Sequence, residues 1–228
     1  MTHVEKVLLQ VVESIARLRE ESQSPVHALV WGVWGNGKTF SARNIATRKK
    51  EVFYYKAPAE EITVNKLIKG LSLACGAGFR QTKEATLDLL KFTLMTLQLK
   101  PIVIIDEAQR ILRKPTLLNE LKDLSEDPDI FVSIVFLGDQ STPKIVQQNP
   151  HSIHKRIALR KELEPIRQET IESILKEKGV KADTSLIYKV AQERGWTTLD
   201  IYLIASAAKG KEIFEEETLT RLAKGLGR

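Results

Sequence analysis

The stretch GVWGNGKT at residues 32–39 decides the fold, because it links the apolar run at residues 27–31 to a segment at residues 39–50 that favours a helix. It matches the pattern G-x-x-x-x-G-K-[S/T] at every fixed position. Its glycines let the main chain curl until successive N–H groups point inward at phosphate oxygens, and the helix that follows adds its positive amino end. The stretch therefore predicts a triphosphate-binding loop. The residues expected to contact the nucleotide are Gly32, Gly35, Asn36, Gly37, Lys38, Thr39 and Phe40.

A pair of carboxylates follows a second apolar run. Residues 102–105 read Ile-Val-Ile-Ile, which is typical of a central parallel strand, and Asp106 and Glu107 come next. Because ligands of open α/β sheets bind at the carboxyl ends of strands, we expect Asp106 to hold Mg²⁺ through water, with the Thr39 hydroxyl as a ligand. Glu107 is expected to orient or deprotonate the attacking water, and Lys38 to reach the β- and γ-phosphates. The alternative is a solvated strand end.

A third polar position follows the apolar run at residues 130–137. Gly138 ends that run, and Asp139 comes directly after it. A polar side chain at this strand end could position the hydrolytic water between the loop and the acid pair. An ordinary turn residue explains Asp139 equally well. Trp34, inside the glycine-rich loop, is expected to pack in the core rather than to cover the nucleotide or meet a neighbouring subunit.

The alternation of strand and helix patterns predicts an α/β fold with a parallel sheet flanked by helices. Strands are expected at 27–31, 51–56, 102–105, 130–137 and 157–159. From residue 165 the pattern is helical only, at 167–178, 184–194, 198–209 and 215–225. The expected organisation is a helix within 1–24 that packs on or joins the core, or serves a partner, then a core at 25–164 and a small all-helical domain at 165–228.

Composition excludes several classes of protein. The single cysteine, Cys75, excludes a disulfide framework, and no apolar run approaches the roughly 18 residues of a membrane span. These features favour a cytoplasmic protein without membrane contact. The net charge is +6, and residues 25–100 hold 12 Lys or Arg against 5 Asp or Glu. Such an excess indicates an anionic partner.

The three strand-end motifs together resemble those of the AAA+ ATPases. The wording Asp106-Glu107-Ala108-Gln109-Arg110 and the strand that ends at Asp139 are similar to the DNA-transposition regulators of the MuB, TnsC and TniB type. They are also similar to the ATPase domain of ExeA-type secretion proteins. The resemblance covers residues 25–160 well and the helical tail in outline. It implies an AAA+ core with a C-terminal lid, ATP hydrolysis with Mg²⁺, and self-association into a ring or helical filament.

The resemblance implies further site residues. An arginine supplied to the neighbouring subunit's nucleotide is expected near the end of the core, where Arg156 is the first candidate and Arg160 the second. Arg156 could instead contact DNA or solvent. In many AAA+ lids a second sensor arginine follows a glycine by three positions, and Thr198 occupies that place after Gly195. Arg194 could substitute, and the departure suggests slow hydrolysis.

The function implied is an ATP-dependent regulator that assembles on duplex DNA and recruits or licenses a transposase or other recombination protein. Backbone contacts without base reading are expected, because no base-reading motif is present. The alternative is an ATPase that loads or remodels a protein partner, such as a helicase loader, without essential DNA contact. A small-molecule kinase is a third reading, for which no acceptor site is visible. The candidate DNA contacts are Lys66, Lys69, Arg80, Lys83, Arg110, Arg113 and Lys114, for each of which a solvated surface position is the alternative.

Overall fold

The computed structural model describes residues 2–164, 166–209 and 212–227. The chain begins with α1 (His3–Ser22), β1 (His27–Gly32), α2 (Lys38–Arg48), β2 (Val52–Lys56), α3 (Val64–Ala74), α4 (Lys83–Leu97) and β3 (Ile102–Asp106). It continues with α5 (Gln109–Leu112), α6 (Pro115–Glu126), β4 (Ser133–Gly138), α7 (Thr142–Gln148), a 3-10 helix (Ser152–Arg156) and β5 (Ile157–Leu163). The last elements are α8 (Gln168–Lys178), β6 (Lys181–Ala182), α9 (Thr184–Arg194), α10 (Thr198–Ala207), β7 (Glu212–Ile213) and α11 (Glu216–Gly225).

Five strands form one sheet in the order β2-β3-β4-β1-β5, and the β2–β3, β3–β4 and β4–β1 pairings are parallel. The central strand β3 is buried along its whole length, as its continuous β-branched run predicts. In register, Ile104 lies between Tyr54 of β2 and Val135 of β4. The expected α/β class with a parallel sheet flanked by helices is therefore confirmed.

The chain divides into two compact units. The first, called here the sheet unit, comprises residues 7–31 and 39–162. The second, called here the C-terminal unit, comprises residues 32–38 with residues 2–6 and, among those described, 163–227. The glycine-rich loop is therefore part of the same compact unit as the C-terminal helices.

The C-terminal unit has its own apolar core, to which Ile171, Ile187, Ile201 and Leu219 contribute. The expectation that this region is all-helical is wrong in one detail. Lys181 and Ala182 pair in parallel with Glu212 and Ile213, so β6 and β7 form a two-stranded sheet. Two-residue strands are too short to show the alternation of apolar and polar side chains that identifies a strand in a sequence.

Helix α1 confirms the amphipathic pattern of its sequence, since Leu8 and Ile15 are fully buried. Near its end Arg19 is only 5% exposed, and its Nη1 atom donates to the carbonyl oxygens of Lys100 (3.0 Å) and Pro101 (3.3 Å). These bonds tie the helix to the segment that enters β3. Packing on the core is therefore the role that the contacts of α1 support. Among the described residues, no helix combines the length and the apolar character that crossing a bilayer requires.

Candidate nucleotide-binding site

The glycine-rich loop is shaped by two glycines in the left-handed region and by its own lysine. Gly35 and Gly37 have φ values of +77° and +87°, where a side chain would be strained. The ammonium group of Lys38 donates to the carbonyl oxygens of Gly32 (2.8 Å) and Val33 (2.6 Å). It also lies 3.3 Å from Oδ1 of Asn36. The lysine thus draws oxygen atoms of the loop around its own charge.

Within the C-terminal unit, the loop contacts the start of α10. The carbonyl oxygen of Gly35 accepts a hydrogen bond from the N–H of Leu199 (3.0 Å). A Cβ atom on Gly35 would lie 2.6 Å from Oγ1 of Thr197, the residue that caps α10. A glycine is therefore required at position 35 for two reasons, the backbone conformation and this close approach.

In the sheet unit, the carboxylate of Asp106 is the centre of a hydrogen-bonded cluster. Asp106 is 2% exposed, and its Oδ2 atom accepts from the hydroxyls of Thr39 (2.7 Å) and Tyr54 (2.8 Å). Its Oδ1 atom accepts from the N–H of Glu107 (3.0 Å). A buried carboxylate is costly unless it is hydrogen-bonded, and these three donors provide that compensation.

The donors of this cluster fit Mg²⁺. The ion prefers hard oxygen ligands, and proteins hold it through one or two carboxylates together with the phosphates of a substrate. The Thr39 hydroxyl and the Asp106 carboxylate supply such oxygens at one point of the sheet edge. Thr39 also follows Lys38 directly in the chain.

The side chain of Glu107, the expected base, is held by contacts with residues that follow it closely in the chain. It has a φ of +57°, and its Oε2 atom accepts from Nε2 of Gln109 (2.9 Å). The same atom lies 3.3 Å from Nη2 of Arg110, whose Nη1 donates to the carbonyl oxygen of Ala57 (2.8 Å). A non-glycine residue in this conformation costs free energy, which the bonds around it must offset. The carboxylate is thereby fixed in direction at the carboxyl end of β3.

Tyr54 is a site residue that sequence reasoning did not identify. Burial, and next the hydrogen bond to Asp106, raise the pKa of its phenol well above the ordinary value, so the hydroxyl remains a donor. The guanidinium of Arg43 lies 5.2 Å from the ring centroid. Tyr54 lies beside Asp106 because of the pairing register of β2 and β3. The residue pattern within β2 alone does not predict this contact.

Asp139 forms a turn in the structure. Its Oδ1 atom accepts from the N–H (2.8 Å) and the hydroxyl (2.6 Å) of Ser141, just before α7. Of the two readings of this residue, the hydrogen bonds support that of a turn-forming side chain. A role in positioning water stays a prediction.

The two candidate arginines near the end of the core differ in their surroundings. Arg156 donates from Nη2 to Oε1 of Glu126 at 2.6 Å, so its charge is paired within the chain. Arg160 is exposed and lines an open groove of about 810 Å³ beside His151, His154 and Lys155. Burial lowers the pKa of His154 to about 4, so this histidine is neutral at physiological pH. The geometry therefore favours Arg160 over Arg156 as a group available to a second subunit.

The position expected for a second sensor arginine, Thr198, is the first residue of α10. Thr197 and Asp200 form a capping box at the start of α10, directly beside Thr198. Arg194 donates from Nη2 to Oγ1 of Thr220 (3.0 Å) and lies over the ring of Trp196. Arg194 is thus engaged within the C-terminal unit, which disfavours it as a substitute sensor.

Two aromatic side chains of the nucleotide-binding motif are exposed. Trp34 is 69% exposed and Phe40 is 61% exposed. The expectation that Trp34 packs in the core is wrong, because the left-handed glycine that follows it turns the loop outward.

The seven candidate DNA contacts differ in whether they form ion pairs within the chain. Four of them bind groups of the chain itself: Lys66 (Glu60), Lys83 (Glu120), Arg110 (Glu107) and Lys114 (Glu61). For the others, Lys69, Arg80 and Arg113, no ion pair is found within the described part of the chain. The ammonium of Lys69 lies 5.2 Å from the ring centroid of Phe79, which is half exposed beside Arg80.

Hydrogen bonds to two buried side chains fix the backbone of the loop that carries Arg80. The Ser72 hydroxyl donates to the carbonyl oxygen of Gly78 (2.5 Å), and the N–H of Arg80 donates to Oγ1 of Thr86 (3.0 Å). Both hydroxyl-bearing residues are fully buried. Phe79 and Arg80 are therefore presented to solvent by an ordered backbone.

Comparisons with known proteins agree with this geometry. A sequence profile of the AAA domain matches residues 21–146. The fold is similar to that of the Aeropyrum pernix ORC1 protein in complex with DNA (TM-score 0.68, 17% identity, 99% of this chain and 66% of that chain). It is also similar to Cdc6p from Pyrobaculum aerophilum (TM-score 0.67, 14% identity, 100% and 64%) and to the Thermotoga maritima RuvB Holliday junction branch migration motor (TM-score 0.61, 14% identity, 99% and 70%). The chain thus spans about two thirds of the length of these proteins. No curated protein sequence matches it significantly.

Proposed function

The chain belongs to the AAA domain family, and we propose that it is an ATP-dependent regulator that assembles on duplex DNA and recruits or licenses a transposase or other recombinase. The observation that carries the ATP-dependent part is the 2.7 Å hydrogen bond between Thr39 and Asp106, directly after the phosphate loop. A residue at the start of α2 and a residue at the end of β3, distant in sequence, meet where triphosphate chemistry requires a metal site.

Each residue of the site has a task in ATP hydrolysis. Lys38 places a positive charge at the transferred phosphate, and the loop amides bind the phosphate oxygens. Bound Mg²⁺ neutralises charge on the triphosphate, and Thr39 and Asp106 would hold it. Glu107 accepts a proton from water or orients it, because phosphoryl transfer needs positioning and charge stabilisation more than covalent chemistry. Hydrolysis is proposed to be slow until assembly or DNA binding completes the site.

The DNA-binding part of the proposal rests on Lys69, Arg80 and Arg113. These three cations have no ion pair among the described residues, so phosphate contact does not compete with an existing ion pair. A few such contacts per subunit, repeated along an assembly, give strong binding that depends on salt and not on sequence.

Replacement of Arg80 by alanine should weaken binding to duplex DNA. If Arg80 contacts one phosphate, its loss lowers the slope of log affinity against log salt by about one per subunit. Fluorescence anisotropy of a labelled duplex, titrated at several salt concentrations, measures both quantities. Lys83→Ala is the matched control, because the Lys83 ammonium is 2.7 Å from Glu120 and should leave the slope unchanged. Equal slopes for Arg80→Ala and the parent would remove Arg80 from the DNA surface.

Self-association is proposed to bring an arginine of one subunit to the nucleotide of the next. We expect Arg160→Ala and Glu107→Gln to be inactive alone and to regain turnover when mixed, because each supplies the group that the other lacks. The loss for the arginine variant should be about 10³-fold, as for arginines supplied in trans elsewhere.

Arg156→Ala is the comparison for this mixing experiment. Since its guanidinium is paired with Glu126, we expect Arg156→Ala to keep its own turnover. If Arg156→Ala is inactive and complemented while Arg160→Ala is active, the assignment to Arg160 is wrong and the trans group is Arg156. If neither mixture regains turnover, an arginine supplied by a neighbour is excluded.

One experiment with two readouts distinguishes the proposed DNA-binding regulator from an ATPase that remodels a protein partner. A DNA-binding regulator hydrolyses ATP faster with duplex DNA and binds DNA more tightly with ATP than without it. An ATPase that remodels a protein partner shows turnover indifferent to DNA and no ATP-dependent shift of a duplex. Phosphate release and anisotropy on the same preparation, with and without a 50-base-pair duplex, give the answer.

A further inference from the structure

The carboxylate of Asp106 is nearly saturated with hydrogen bonds. An ionised carboxylate has about four lone-pair positions. Three of them accept from Thr39, Tyr54 and the N–H of Glu107. About one position is left for a metal ion or for a water bound to it. The direction of that remaining position depends on how the three donors hold the carboxylate.

Two of these donors converge on one oxygen from different elements. Thr39 is on α2 and Tyr54 is on β2, and their hydroxyls approach Oδ2 at 2.7 and 2.8 Å. The third donor bonds Oδ1, so rotation of the carboxylate would break a bond on each side. The Thr39 hydroxyl is also the expected ligand of Mg²⁺, and once it binds the ion it has less freedom to orient Asp106. Tyr54 is not an expected ligand of the ion, so its bond to the carboxylate does not compete with metal binding.

The placement of Tyr54 is set by the sheet. β2 is one of the two edge strands of the five-stranded sheet, and Lys56 is the register partner of Asp106 in β3. Tyr54 lies two residues before Lys56 and so on the same face of the strand, from which its phenol reaches the end of β3. The ring is half buried, and Arg43 lies over it. A hydroxyl bonded to a carboxylate in this way makes a charge-assisted bond, here 2.8 Å long.

We propose that Tyr54 is a positioning residue for the metal ion that accompanies the nucleotide, because its hydroxyl fixes the orientation of the Asp106 carboxylate toward that ion. The assignment rests on the proposed ATP-dependent function. Tyr54 contacts neither the nucleotide nor the reacting atoms in this assignment, and it acts only through Asp106. Its loss should therefore change metal affinity and leave metal-free nucleotide binding intact.

Tyr54→Phe tests the assignment, because it removes the hydroxyl and keeps the ring beneath Arg43. Mn²⁺ replaces Mg²⁺ as the probe, and the free ion is counted by electron paramagnetic resonance in the presence of the full chain and ADP. We expect Mn²⁺ to bind the Tyr54→Phe protein with ADP about tenfold more weakly than it binds the parent, since a hydrogen bond to a charged group is worth about that factor. ADP binding in EDTA, measured by calorimetry, should be the same for both proteins.

Two comparisons make the result specific. Tyr55→Phe removes the same atom from the next residue, which is buried on the opposite face against Gly70, and should leave Mn²⁺ affinity unchanged. In an Asp106→Asn background, Tyr54→Phe should weaken Mn²⁺ binding no further, because the group through which it acts has changed.

Three results overturn the assignment. The first is parental Mn²⁺ affinity in Tyr54→Phe, and the second is an equal loss of affinity in the Asp106→Asn background. The third is weaker ADP binding in EDTA, which would give the hydroxyl a purely structural role. If the parent protein itself binds neither ADP nor Mn²⁺ with ADP, the nucleotide-dependent function fails, and the assignment of Tyr54 fails with it.

Discussion

Replacement of Lys38 by alanine is expected to weaken ATP binding by about 150- to 5000-fold. The ammonium group provides three donors and a full charge at the point where the triphosphate carries most of its negative charge. Removing one partner of a desolvated charge pair costs about 3–5 kcal/mol, which corresponds to this range of affinity. Calorimetric titration of the full chain with ATP and Mg²⁺ measures the effect.

The structure supplies a control for this substitution. Lys49, just after the same helix α2, has an exposed ammonium 3.3 Å from Oε1 of Glu13. Exposed pairs of this kind contribute at most about 1 kcal/mol, so Lys49→Ala should bind ATP as the parent does. The circular dichroism of both variants must match the parent, because Lys38 also bonds two carbonyl oxygens of its own loop. ATP binding by Lys38→Ala at parental affinity would exclude this loop as the nucleotide site.

The parts of the site that depend on local pattern are predictable from the sequence. The residues of the phosphate loop are consecutive in the sequence, and the acid pair directly follows a buried strand. The rule that parallel strands present ligand-binding groups at their carboxyl ends then brings Thr39 and Asp106 together, and the structure places their side chains 2.7 Å apart. The end of α1 follows from Pro25, which comes shortly after it, and the end of α9 follows from Gly195.

What the sequence could not provide depends on contacts between distant segments. Tyr54 reaches Asp106 only through the register of β2 and β3, which no single-strand pattern specifies. The sequence suggests an unpaired surface cation at Arg110. In the structure, its guanidinium contacts the Glu107 carboxylate and the carbonyl oxygen of Ala57. Charge counts therefore overestimate the surface available to an anionic partner. The sequence does not predict the short strands β6 and β7, because two residues are too few to show the alternation of apolar and polar side chains.

Glu107→Gln is expected to lower the turnover of ATP by about 10²- to 10⁴-fold, the range that a positioned general base contributes. Glutamine keeps the size of the side chain and an oxygen that Gln109 and Arg110 can still reach, but it cannot accept the proton of water. Nucleotide binding should be unchanged, because Glu107 is assigned to the water and not to the phosphates. The chain should therefore bind ATP and fail to release phosphate.

The consequence for assembly follows from the same assignment. If ATP favours self-association and hydrolysis reverses it, Glu107→Gln should accumulate ATP-bound assemblies that light scattering detects, while the parent protein disperses as ATP is consumed. Glu60→Gln is the control, because that carboxylate is exposed and, within the described part of the chain, its one ion pair is with Lys66 at 3.6 Å. Turnover by Glu107→Gln at the parental rate would show that another group handles the water. Asp139 would then be the first residue to test, since its Oδ1 atom makes the turn bonds to Ser141 and no hydrogen bond to its Oδ2 atom is found among the described residues.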